Sequence, residues 1–116
     1  QLIPANRADL LNVTIRHVAE DADSFLRYAD RDMIALVMLF NQEANLDGET
    51  RMRRMTQELI AAALAQGGRY YLPYRSHATR AQFAAAYPQA EEFFHLKHKY
   101  DPEGLFSNGF MQAYGR

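Results

Sequence analysis

Chain breakers fall at close intervals through the C-terminal half of this chain and cap the length of every element there. Gly67-Gly68, Pro73, Pro88, Pro102 and Gly104 supply the punctuation. Proline lacks the amide hydrogen that helices and ladders use, and glycine allows the left-handed exit that ends many helices. Residues 69–74 therefore read as a short aromatic strand halted at Pro73. Thr79, with Gln82 three residues later, has the form of a capping box that opens a helix running through Ala86. Pro88 suits the first turn of a second helix over 89–100, with Phe93, Leu96 and Tyr100 on its buried edge. Asp101-Pro102-Glu103-Gly104 carries the residue preferences of a type I turn and leads into an ordered tail.

The N-terminal half follows two periods. Residues 1–9 are a lead-in held extended by Pro4. Over 10–18 the side chains alternate, Val13, Ile15 and His17 on one face and Thr14, Arg16 and Val18 on the other, which predicts a strand. Residues 20–32 are a charged connection. Residues 33–40 are apolar on both faces, as in a covered central strand. A polar loop then ends at Asp47-Gly48, with Asp47 a candidate N-cap. Met52, Met55, Leu59, Ala62 and Ala63 recur at helical spacing through 49–66, and Gly67-Gly68 ends that helix. The order β, β, long α, β, α, α predicts a single α+β domain over 1–116: a small, mainly antiparallel sheet with helices packed on one face. The face bearing Thr14, Arg16 and the tyrosines is left needing a second body.

Charge and composition exclude several classes. A formal net charge of −1 gives no basic face to displace the counterions of a nucleic acid. No apolar run reaches the roughly 20 residues that cross a bilayer as a helix, so no membrane partner is expected. The chain has no cysteine, which excludes disulfides and thiolate chemistry and fits a reducing cytoplasm. The four histidines lack a ligand framework, and the expectation is no metal site. No glycine-rich phosphate cradle is present. The chain starts at Gln1 without an initiator methionine, and is read as part of a longer polypeptide.

Three groupings carry candidate chemistry. Arg16 on the polar strand face could hold a carboxylate, phenolate or developing alkoxide through paired donors, or could form a surface salt bridge. Tyr70, Tyr71 and Tyr74 crowd one strand end, where flat rings with hydroxyl tips can orient a ligand or simply pack. The run Arg51-Met52-Arg53-Arg54 places three positive charges at a helix start, which is mildly unfavourable by itself.

The pattern Tyr71-Leu72-Pro73, then Phe93-Phe94 with Lys97, Lys99-Tyr100-Asp101-Pro102 and the Leu105-Phe106-Ser107-Asn108 loop, resembles the tail of FAD-linked oxidases of the vanillyl-alcohol oxidase type. Cytokinin dehydrogenases and bacterial FAD-binding oxidoreductases are the members it looks most like. The resemblance implies a C-terminal substrate or cap domain, the ferredoxin-like half of an oxidase cap. An N-terminal FAD-binding domain of the same polypeptide would hold the flavin. It implies an oxidoreductase that passes hydride from a small alcohol, amine or hydroxy acid to FAD, with this fragment alone inactive. Carried over by position, Arg16, Tyr71 and Tyr74 are the implied catalytic residues, and Ser107, Asn108 and Phe110 the implied cofactor-binding ones. Asn108-Gly109-Phe110 stands where cytokinin dehydrogenases commonly have Pro-Gly-Gln, so no glutamine–flavin bond is carried over. The alternative from the residues alone is a small α+β module without catalysis that binds a ligand or forms a homodimer through its exposed sheet face.

Overall fold

The computed structural model describes residues 2–115. The chain is α+β, in the order α1 (Leu2–Ala5), β1 (Asp9–Val18), β2 (Met33–Asn41), α2 (Leu46–Ala65), α3 (Arg80–Ala86), α4 (Ala90–Tyr100) and α5 (Gly109–Tyr114). β1 and β2 pair antiparallel as a two-stranded sheet, with a register irregularity between Leu10 and Asn12.

Paired residues in an antiparallel ladder share a face. Val13, Ile15 and His17 lie opposite Met38, Leu36 and Ile34, while Thr14, Arg16 and Val18 lie opposite Val37, Ala35 and Met33. The first of these faces is the apolar one, and it is open: Ile15 is 69% exposed and Ile34 65%, with Val13 and Leu36 also exposed. Met33, Ala35, Val37 and Val18 on the second face are half-buried, and Thr14 and Arg16 are exposed. This corrects the expectation that helices would cover the apolar face and leave only the polar one uncovered. The physical reason lies in the helices, whose apolar stripes are already filled by aromatic rings.

α2 begins earlier than its periodicity suggests. Asn45, not Asp47, is the cap: its side-chain oxygen accepts from the Gly48 amide at 2.7 Å. Asp47 and Glu49 sit in the first turn, where negative charge suits the helix dipole. Gly48 is buried against the loop, and a Cβ there would lie 2.2 Å from the Glu43 carbonyl oxygen, so only glycine permits this approach. At the other end Gly67 takes φ +70°, the left-handed exit.

The aromatic stretch 69–74 is not a strand. No neighbouring strand is offered to it, and its backbone is spent elsewhere, since the Tyr87 hydroxyl donates to the Tyr70 carbonyl. Tyr70 and Leu72 pack instead on the helical core. The Thr79–Gln82 capping box forms as expected and opens α3. The Gly104 amide donates to the Asp101 carbonyl at 3.1 Å, closing the expected turn. The ordered tail contains a further helix, α5, and the short α1 forms at 2–5 where the sequence predicts an extended lead-in.

The core is a cluster of rings around α3. Phe83 stacks on Tyr114 at 4.5 Å and meets Phe110 edge-on at 5.5 Å. Tyr87, the C-cap of α3, is fully buried, and Ile60 of α2, Ala78, Ala86 and Ala90 close the cluster. Aromatic pairs at such distances add about 0.5–1.5 kcal/mol each beyond their burial.

Candidate functional site

Arg16 projects from the middle of β1 on the face opposite Ile15, and is exposed. Among the described residues it makes no hydrogen bond, ion pair or cation–π contact. The salt-bridge alternative therefore has no partner among the described residues. A guanidinium in that state keeps its paired donors available to an oxygen-bearing ligand.

Tyr71 and Tyr74 lie together after α2. Their rings meet edge-to-face at 5.2 Å, and Tyr28 from the connection between β1 and β2 meets Tyr71 at 5.1 Å. Tyr74 is exposed and Tyr71 partly so, giving an exposed cluster of near-perpendicular rings. Its footing is ionic as well as apolar. Arg69, with little exposed surface, pairs with Asp30 at 2.6 Å and donates to the Arg27 carbonyl at 3.0 Å. Tyr70 turns the other way: burial pushes its phenol up, so it stays neutral in the core.

The tail is organised by Asp101. Its carboxylate accepts from the Leu105 and Phe106 amides, each at 2.9 Å, and pairs with the Lys97 ammonium. The Lys97 bond first, then the Phe106 amide and the Leu105 amide, outweigh desolvation and hold the carboxyl down at about 2. Leu105 and Phe106 are presented outward by this clamp. Ser107 is exposed and lines a shallow groove of about 250 Å³ with Lys97, His98, Met111 and Gln112.

FAD is the cofactor the resemblance implies, so the three tail positions it points to can be tested against their surroundings. The Asn108 side-chain oxygen caps α5 by accepting from the Met111 amide at 2.9 Å. The Phe110 ring is packed among Phe83, Phe93, Phe94 and Tyr114. Only Ser107 keeps its side chain outside such duties. These three residues do not make a flavin-binding surface by themselves.

The sequence reading missed a polar seam between α2 and the loop before α3. His77, 3% exposed, places Nε2 at 2.8 Å from Glu49 Oε1 and Nδ1 at 3.3 Å from Thr56 Oγ1. Arg75 donates to Gln42 and to Glu49, at 2.7 and 2.8 Å. The His77 bond first, then Gln42, lowers the Glu49 carboxyl. His77 and Glu49 are 28 residues apart, and no short-range pattern links them. The arginine run at the start of α2 is resolved by pairing: Arg51 with Glu43, Arg53 with Glu49 and Arg54 with Glu58. Of the helix histidines, His98 places Nδ1 at 2.7 Å from the Phe94 carbonyl.

No helix among the described residues is long and apolar enough to cross a membrane. Comparison of the chain with known protein families, with curated proteins and with solved structures found no match.

Proposed function

We propose that this chain is the substrate-side cap of a cytoplasmic FAD-dependent oxidoreductase, completed by a FAD-binding domain of the same polypeptide. The observation that carries the reading is the β1–β2 ribbon, which has an exposed apolar face on one side and, on the other, an exposed Arg16 without a partner among the described residues. An open patch of this kind in an otherwise well-packed chain calls for a docking body. The resemblance of the tail supplies the identity of that body. Flavin is the hydride acceptor in that class, and the protein around it binds and orients the substrate. In this chain Arg16 would anchor an oxygen of a small organic substrate, while the edge-to-face Tyr71 and Tyr74 rings would form an aromatic wall that excludes water. Asn108 and Phe110 would act indirectly, by fixing the tail that carries Ser107.

The test is to purify the protein that carries this sequence from its own source and record its mass and visible spectrum. The reading expects a chain much longer than 116 residues with flavin absorbance that bleaches when small alcohols, amines or hydroxy acids are added without oxygen. A flavin-free protein of this length would overturn it. That result would favour a non-catalytic α+β module pairing ribbon to ribbon with a second copy, because both strands of the ribbon are edge strands.

A further inference from the structure

The outer edge of β1 is open, and the order of its residues says what fits there. Eight of the ten residues of β1 are exposed, whereas much of β2 is half-buried. Among the described residues no third strand borders β1, and residues 10–18 make no backbone hydrogen bond outside their pairing with β2. A row of free amides and carbonyls on an exposed strand is a template for another strand. β1 carries no proline or lysine that would blunt it.

The faces along β1 follow from its partners on β2. Asp9, Asn12, Thr14 and Arg16 lie opposite Asn41, Leu39, Val37 and Ala35, on one face. Leu10, Val13 and Ile15 lie opposite Phe40, Met38 and Leu36, on the other. Leu11 is the extra residue of the bulge between Leu10 and Asn12. A strand added antiparallel along the outer edge must match β1 face to face at each step. A second β1, set with Val13 against Val13, does so without a break. Asn12 then meets Thr14, Leu10 meets Ile15 once the Leu11 bulges are passed over, and Asp9 meets Arg16. Centring the pair on Thr14 instead sets Arg16 against Asn12, and centring it on Arg16 sets two guanidiniums together.

We propose that β1 pairs antiparallel with β1 of a second copy of this chain, about a two-fold axis at Val13, making a four-stranded sheet. Charge complementarity selects this register. Arg16 has no partner among the described residues, and the pairing gives it the Asp9 carboxylate of the second copy, twice by symmetry. Asp9 is free to accept it, being exposed and holding only the Asn41 amide, at 3.1 Å from Oδ2. The carboxylate occupies one side of the guanidinium fork, so Arg16 keeps its other donors for a substrate oxygen. A sheet of two strands is marginal in water, and doubling it removes that weakness. The inference does not depend on flavin, because the strand edge and the apolar sheet face are separate surfaces.

The experiment uses the full chain, which has no cysteine of its own. Val13→Cys puts one thiol on the axis, where opposed residues lie about 4.5–5.5 Å apart at Cα, within disulfide reach. Mild oxidation should link Val13→Cys chains into dimers faster than Leu36→Cys chains, although Leu36 on β2 is the more exposed, at 56% against 40%. Sedimentation of the unaltered chain should show a monomer–dimer equilibrium. Asp9→Arg or Arg16→Asp alone should raise its dissociation constant about tenfold, because two opposite-charge pairs become like-charge pairs. Combining Asp9→Arg with Arg16→Asp should restore the dimer. A monomer at every concentration, Leu36→Cys linking as fast as Val13→Cys, or a double variant no tighter than the single ones would each overturn the inference.

Discussion

The ribbon and the helical body of this chain solve the same problem in opposite ways. Around α3, aromatic rings from α3, α4 and α5 bury one another, with Tyr87 fully buried and Met55 of α2 only 1% exposed. In β1 and β2, Val13, Ile15, Ile34 and Leu36 face outward with nothing over them. A hydrophobic side chain left in water contributes none of the roughly 1.5–3 kcal/mol its burial would bring. A two-stranded sheet without a covered face is marginal by itself. The helical body thus packs its apolar side chains on one another, while the ribbon's apolar face stays uncovered among the described residues.

The sharpest way to break that contrast is to hollow the body. Phe83→Ala should cost about 3–5 kcal/mol in denaturant unfolding, because the ring is the hub of the cluster. A cost near that of a surface change would mean the rings are not the core. A more moderate effect is expected from Asp101→Asn, and it depends on pH. The folded carboxyl sits at about 2 against its ordinary 3.8. Its contribution is therefore complete above the ordinary value and is lost as pH falls toward about 2. Acid unfolding curves of the variant should be flatter over that window, and an unchanged slope would remove Asp101 as the tail's organiser.

Thr79→Ala should cost about 1 kcal/mol by removing the α3 cap, read in the same unfolding assay. At the small end, Ile15→Ala in the isolated chain should stay within about 0.5 kcal/mol, the range for surface positions. A loss of several kcal/mol there would show that the ribbon face is already covered, and would sharpen the question of by what.

The parts of the fold legible in sequence are those fixed by local chemistry. Alternation around Val13–Ile15 marked β1, three- and four-residue spacing from Met52 marked α2, and the Thr79–Gln82 pair marked α3 almost to the residue. Residues 69–74 misled because aromatic β-propensity expresses a fit to a pleated neighbour, and here the neighbours are helices. The cap of α2 moved from Asp47 to Asn45 because both residue types cap equally well, and the close approach of Gly48 to Glu43 chose between them. Asn108 was visible as a special residue, but its use as the α5 cap depends on Phe110 entering the core. Of the candidate site, the place of Arg16 on β1 was legible from strand alternation, whereas the Tyr71–Tyr74 ring contact was not, because a strand over 69–74 puts those two residues on opposite faces. Nor was the His77–Glu49 seam, since it joins distant segments through a single lone histidine.

The central claim, a self-sufficient helical body bearing an unfinished ribbon, is tested most directly by native-state hydrogen exchange on the dilute monomeric chain. Amides of α2 and α3 should exchange only with global unfolding, and those of β1 and β2 through far cheaper local opening. Equal protection of ribbon and helices in the monomer would contradict the account.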